Sequence, residues 1–248
     1  MNLSGAVAVV TGGGTGIGRA VAEALTAPGA SVAITYARSA PEAKATAASL
    51  GALVVPLDVA DDKQVRRMAD RVVGELGRVD ILVNNAAVTH AVEHADLDAL
   101  TDAMWHEILD VNVLGAFRCT RALAPVLRAS GGAVVNVSSI SAYRAGGSSI
   151  AYGVSKAALL QLTRNLAAAL APEVRVNAVA PGTVNTRWQT NLHGAADFAI
   201  RRATEEQHIP LGAIATPQHV AQAVLGLLGM DNVTGETLIV DGGKHIRY

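Results

Sequence analysis

The chain has 248 residues, 20 Lys+Arg against 21 Asp+Glu, and is 50% hydrophobic but only 3% aromatic. That is one large domain or two small ones, with a core of Ala, Val, Leu and Ile, and it excludes disorder as the dominant state. A formal net charge of −1 removes the strongly basic surface that nucleic acid or anionic lipid requires, so neither partner is expected.

The lone cysteine, Cys119, cannot form an internal disulfide and reads as a small apolar filler in a reducing compartment. Apolar stretches are broken by charge within about ten residues, short of the ~20 that span a bilayer. The start Met1-Asn2-Leu3-Ser4 lacks the basic region of a secretory signal, so a cytoplasmic protein is expected.

Short β-branched runs alternate with longer Ala/Leu-rich stretches. In chain order, strand Ala6–Thr11 precedes helix Gly18–Thr26, strand Ser31–Thr35 precedes helix Pro41–Leu50, and strand Leu53–Leu57 precedes helix Asp61–Leu76. Strand Ile81–Asn84 then precedes helix Asp102–Leu127, and strand Ala133–Ser138 precedes helix Tyr152–Leu170. After strand Arg175–Ala180 comes a segment without strand pattern, Thr186 to Leu211, then helix Pro217–Leu228 and strand Thr237–Val240. Most strands are apolar throughout, as strands buried on both faces of a parallel sheet are. The expected fold is α/β: a Rossmann-type, doubly wound, seven-stranded, mostly parallel sheet with helices on both faces, in a single domain. The segment at 186–211 is expected to cover a substrate as a lid.

Between the first strand and first helix lies Thr11-Gly12-Gly13-Gly14-Thr15-Gly16-Ile17-Gly18. Such glycines let backbone N–H groups approach a pyrophosphate, which the positive end of the helix stabilises. The G-x-G-x-x-G pattern fails in every register; T-G-x-x-x-G-I-G fits, with Gly12, Gly16 and Gly18 fixed and Gly14, Thr15 and Ile17 between them. The second strand ends at Tyr36 rather than at the carboxylate that accepts from a ribose 2′-hydroxyl. Arg38 and Ser39 follow and could hold a 2′-phosphate, which favours NADP(H), with NAD(H) as the alternative. Asp58-Val59 and Asn84-Asn85-Ala86-Ala87 end the third and fourth strands, at the edge where ligands of open α/β sheets bind.

Tyr152 and Lys156 lie four residues apart on one expected helix, so both project from the same face. A neighbouring ammonium favours a phenolate and brings tyrosine toward the range of general acid/base catalysis. Ser139, thirteen residues before Tyr152, ends the fifth strand and could donate to a substrate oxygen; Ser138 and Ser141 compete for that role.

With these residues in view, the chain resembles a classical short-chain dehydrogenase/reductase, and within that family it is similar to the 3-oxoacyl-acyl-carrier-protein reductase type. The resemblance runs nearly end to end: the Thr11–Gly18 turn, Asp58, Asn84-Asn85-Ala86, Asn112, Ser139, Tyr152 with Lys156, Pro181-Gly182 with Thr186, and Thr234-Gly235 through Asp241-Gly242-Gly243. Ala87 departs from the family's usual glycine, and Pro28 is unusual at the end of the first helix.

The resemblance implies that Tyr152 exchanges a proton with the carbonyl or alcohol oxygen. It further implies that Lys156 lowers the Tyr152 pKa and holds the nicotinamide ribose, that Ser139 rather than Ser138 polarises the carbonyl, and that Asn112 supports a water-mediated relay. Pro181, Gly182, Val184 and Thr186 would line the nicotinamide. It implies a small carbonyl or alcohol substrate, a 3-oxoacyl thioester first, with sugar or polyol, steroid-type and secondary-metabolite substrates fitting the same residues. An enoyl reductase fits less well, because that type separates its tyrosine and lysine by more residues. A homotetramer is also implied, formed through the Asp102–Leu127 and Tyr152–Leu170 helices, with the Tyr248 end near a neighbour.

Ile140 and Arg144 flank the tyrosine and serine and are taken with them to border the substrate; Arg144 either attracts an acidic group or faces solvent. Trp188 either covers the substrate or packs at a subunit contact. No H-E-x-x-H or Cys/His cluster exists, so no metal is expected, and no serine has the G-x-S-x-G setting of a hydrolase nucleophile. A nucleotide sensor that has lost turnover is the rival class, but a sensor needs the glycine turn and not the proton donor.

Overall fold

A computed structural model describes residues 1–246 of the chain. Its seven strands are β1 (Val7–Val10), β2 (Ser31–Tyr36), β3 (Leu53–Pro56), β4 (Ile81–Asn84), β5 (Ala133–Val137), β6 (Arg175–Pro181) and β7 (Thr237–Val240). They form one sheet in the order β3-β2-β1-β4-β5-β6-β7, and every pairing is parallel. The chain therefore winds outward in one direction from β1, returns, and winds outward in the other from β4. The crevice between β1 and β4, at their carboxyl ends, is the switch point where open α/β sheets bind ligands.

Alternation along β1 shows why the sheet needs cover on both sides. Ala8 and Val10 enter a core shared with helices α1 (Gly16–Thr26), α2 (Ala40–Leu50) and α9 (Pro217–Gly229). Val7 and Val9 enter the opposite core, shared with α3 (Asp62–Leu76), α5 (Ala116–Ser130) and α6 (Ile150–Leu170). Side chains of a strand point to opposite faces in turn, so each apolar residue finds a separate layer. Burying a valine such as Val9 contributes about 1.5–3 kcal/mol. Cys119, fully buried in the second layer, has its thiol pushed up to about 12 by that burial and acts as apolar filler.

The expected continuous helix over Asp102–Leu127 is broken into three. Helix α4 (Asp102–Leu109) gives way to a wider π-helical turn at Asp110–Gly115 before α5 begins. Two contacts explain the widening, an element frequent at functional sites. The Asn112 side chain is pulled to the loop after β4, and Gly115 sits so close to Val59 that an added Cβ would lie 2.6 Å from its Cγ2. The segment after β6, which lacks a strand pattern, forms two helices, α7 (Arg187–His193) and α8 (Ala195–Glu206). The Tyr248 end assigned to a neighbouring subunit lies outside the described residues. No helix among the described residues is long and apolar enough to cross a membrane.

Candidate active site

The glycine turn is held from beneath by β4. Asn85 donates through Nδ2 to the carbonyls of Thr11 (2.9 Å) and Gly12 (3.1 Å), while the backbone N–H groups of Asn85 and Ala86 donate to Thr11 Oγ1. Gly18 closes the turn: a Cβ there would fall 2.3 Å from the Gly12 carbonyl oxygen. Its role is close packing, and it does not border the cleft as a ligand contact. Gly12 and Gly16, by contrast, border the cleft with φ of +64° and +53°, which L side chains rarely adopt. Helix α1 has no acidic residue in its first turn, so nothing nearby offsets the positive end of its dipole.

A cleft of about 740 Å³ runs along this edge. It brings together every sequence-predicted cofactor residue except Gly18: Gly12 and Gly14 to Ile17 of the turn, Tyr36 with Arg38 and Ser39, Asp58 with Val59, Asn85 to Ala87, Tyr152 with Lys156, and Pro181, Gly182, Val184 and Thr186. Its size, its backbone-lined floor and its helix N-terminus fit a dinucleotide. At the Tyr36 end, the Arg38 guanidinium is exposed and donates to Glu107 Oε1 at 3.1 Å, while the other Glu107 oxygen meets His90 Nε2 at 2.8 Å. These two partners, His90 first, hold the Glu107 carboxyl below its usual range. Nothing in the spacing of the sequence pointed to Glu107, because it reaches Arg38 from a distant helix.

A smaller recess of about 220 Å³ opens beside the cleft. Ser139, Tyr152, Gly182 and Trp188 line both spaces, so they sit where the two meet. Ser138 is turned away, spending its hydroxyl on the Lys156 carbonyl (2.9 Å). The Ser139 oxygen caps the short turn that follows by accepting from Ser141 N at 3.1 Å. Ile140 and Arg144 line the recess, and the Trp188 ring lies tilted 6.4 Å from that of Tyr152.

Tyr152 is half-buried where the two spaces meet. Burial pushes the phenol up to about 12, with Ser139 drawing it partly back. The buried Lys156 ammonium is pulled down to about 8 by the same desolvation. Lys156 Nζ donates to the Val137 carbonyl at 2.8 Å and stands 5.6 Å from the Tyr152 ring centre. Burial is the largest influence on both groups, and it holds each toward its neutral form.

Asn112 borders neither space. Its Oδ1 accepts from Val88 N (2.8 Å), and its Nδ2 donates to Val88 O and to Ser155 Oγ (each 3.0 Å). It ties the π-helical turn to the loop after β4 and to α6, one turn from Tyr152. His193, Arg201 and Arg202 of the 186–211 segment, given no individual role from the sequence, reach the recess on α7 and α8, and Lys244, which the sequence did not single out, joins them from the segment after β7.

An all-parallel doubly wound sheet with a dinucleotide-sized cleft at its switch point, meeting a tyrosine-bearing recess, defines an α/β oxidoreductase. The comparisons agree. Residues 12–245 match a family model described as "Enoyl-(Acyl carrier protein) reductase". The chain is 47% identical over 244 residues to the "Granaticin polyketide synthase putative ketoacyl reductase 2" of Streptomyces violaceoruber, covering 97% of this chain and 96% of that one. It is 37% identical over 259 residues to the rhamnolipids biosynthesis 3-oxoacyl-[acyl-carrier-protein] reductase of Pseudomonas aeruginosa, covering 99% and 98%. The crystal structure of 3-ketoacyl-(acyl-carrier-protein) reductase from Brucella melitensis complexed with NADH superposes with a TM-score of 0.88 at 31% identity, covering 98% of this chain and 99% of that one. The chain belongs to the short-chain dehydrogenase/reductase family.

Proposed function

We propose that the protein reduces a ketone or aldehyde to an alcohol, or runs the reverse, with NADP(H) preferred over NAD(H) and a 3-oxoacyl thioester as the leading substrate. The observation that carries this reading is the position of Ser139 and Tyr152 on the wall shared by cleft and recess, with Lys156 buried beneath. When bound, the dinucleotide supplies or takes up the hydride at the substrate carbon.

The chain's residues do the rest. The Gly12–Gly16 backbone and the α1 dipole would hold the pyrophosphate, Lys156 would hold the nicotinamide ribose, and Pro181, Gly182, Val184 and Thr186 would line the nicotinamide. Ser139 donates a hydrogen bond to the carbonyl oxygen and Tyr152 donates the proton. A phenol raised to about 12 is fully protonated at neutral pH, which is the form a reductase needs of its acid. Alcohol oxidation requires the phenolate, so that direction gains from alkaline pH. Asn112 acts as a positioning residue, its side-chain bonds keeping α6 in register with the loop after β4.

Arg38 supports the choice of NADP(H), and Glu107 sets its strength: a 2′-phosphate must compete with that carboxylate for the guanidinium. The relative named as a ketoacyl reductase supports a 3-oxoacyl substrate, and the short Tyr152/Lys156 spacing supports a ketone over an enoyl group. Exposed Leu114 and Val154 on the π-turn and α6 support a homotetramer formed through those helices, with light scattering as its check. The segment at 186–211 serves as the substrate cover within one cytoplasmic domain. The deciding measurement is loss of 340 nm absorbance with NADPH, then NADH, over 3-oxoacyl thioesters, diketones, keto-sugars and aldehydes. Turnover of none of these, with cofactor bound, would overturn the proposal.

A further inference from the structure

The recess beside Tyr152 carries more positive charge than its own structure uses. Four permanently cationic side chains line it, Arg144, Arg201, Arg202 and Lys244, against one carboxylate, Glu205. Two of the four are already compensated. Lys244 Nζ pairs with Glu205 Oε1 at 2.9 Å, and Arg202 Nε pairs with Glu206 Oε1 at 2.9 Å.

Arg144 and Arg201 have no carboxylate within 4.0 Å among the described residues. Their protein partners orient them without neutralising them. Arg144 Nη1 donates to the Lys244 carbonyl at 3.2 Å, and Arg201 Nη1 donates to His193 Nδ1 at 3.5 Å. Burial, then the Arg201 charge, holds the His193 imidazole below its usual range, so it adds no fixed negative charge beside Arg201 and does not neutralise it. The two arginines reach one recess from different elements, the loop before α6 and the middle of α8, and each keeps N–H groups available to a ligand.

Resting on the reading of this site as a carbonyl reductase, we propose that its substrate carries an anionic group, a carboxylate or phosphate, clasped between Arg144 and Arg201 while the carbonyl meets Ser139 and Tyr152. Charge at the rim raises the local concentration of such a substrate, and the bonded contact fixes which way it enters. Glu205 limits the arrangement. Its second oxygen is buried without a partner, so an anion seated next to it is repelled and the clasp is confined to the Arg144 and Arg201 side.

The test uses the whole protein with three probes that share one ketone: acetoacetate, whose carboxylate is its own; acetoacetyl-coenzyme A, whose phosphates lie on a long arm; and neutral ethyl acetoacetate. An Arg144→Ala/Arg201→Ala variant should lower kcat/KM about tenfold or more for at least one anionic probe, chiefly through KM, as losing a charge-assisted bond does. The neutral ester should stay within about twofold, since both side chains are exposed and their loss leaves the fold intact. Sensitivity of acetoacetate alone places the charge on the substrate itself; sensitivity of the coenzyme A thioester alone places it on a phosphate-bearing arm. Equal loss for all three probes, or loss for none, overturns the proposal. Quenching of tryptophan fluorescence by acetoacetate and by the coenzyme A thioester, in a Trp105→Phe background that leaves Trp188 as the one tryptophan, supplies a readout independent of turnover: its weakening for either probe in the double variant supports the clasp even if the carbonyl-reductase reading fails, and unchanged quenching by both overturns it.

Discussion

At the end of β1 the backbone is locked from three sides: by Asn85, by Thr11 Oγ1, and by the contact that leaves no room for a Cβ at Gly18. Across the cleft, α7 buries no residue and α8 buries only Phe198, which joins Ile209 and Ile214 in a cluster apart from the two main cores. One wall is therefore specified atom by atom through backbone contacts, and the other is attached by a single apolar anchor and surface ion pairs such as Arg187 with Glu42. Under the proposed function, holding a dinucleotide and a proton donor falls to the rigid wall, and substrate choice to the loosely attached one, where substitutions cost little stability.

Replacing Tyr152 by Phe removes the proton donor from the rigid wall and should lower kcat/KM about 10²–10⁴-fold in the 340 nm assay, with NADPH binding retained. Near-full activity would break the division between the walls. Gly18→Ala forces a Cβ against the Gly12 carbonyl and should destabilise by about 1–3 kcal/mol, read as a fall of several degrees in Tm. The matching change in the cover, Ile200→Ala on α8, removes a side chain that is 67% exposed and should stay within about 0.5 kcal/mol. Comparable losses at the two positions would refute the contrast.

Arg38→Ala should weaken NADPH about tenfold or more and leave NADH nearly unchanged, as judged by fluorescence titration. Glu107→Gln, which frees Arg38 from its carboxylate partner, should tighten NADPH by a smaller factor. The remaining prediction concerns pH dependence. Lys156 binds its proton less tightly in the fold, at about 8, than in the unfolded chain, at 10.5, so stability should rise as pH climbs through that window. Tyr152, at about 12 against 10.0, holds its proton more tightly than the unfolded chain, so stability should fall from pH 10 toward 12. Denaturant titrations should show the rise up to about pH 10 and its loss in Lys156→Met.

Strands, glycine turn and the Tyr152/Lys156 pair were legible in the sequence because each is a local statement. Apolar runs bounded by turns can only be buried strands, and a turn of that glycine density can only be an approach of backbone to backbone or to ligand. The π-helical turn escaped because its cause lies in Val88 and Val59, distant in sequence from Asn112 and Gly115. Helices α7 and α8 escaped because periodicity reports burial of one face, and these helices bury almost none.

The sequence by itself determined an all-α/β order of elements, a glycine turn between β1 and α1, and the placing of Tyr152 and Lys156 on one helix, since these follow from nearest neighbours and from period. The tertiary structure alone decided that Ser138 spends its hydroxyl on the Lys156 carbonyl, that Glu107 holds Arg38, that Tyr152 and Lys156 are both desolvated, and that Arg144 and Arg201 share one recess. Each of these depends on a distance across the fold and on the desolvation it brings, and neither is a property of any stretch of chain read alone.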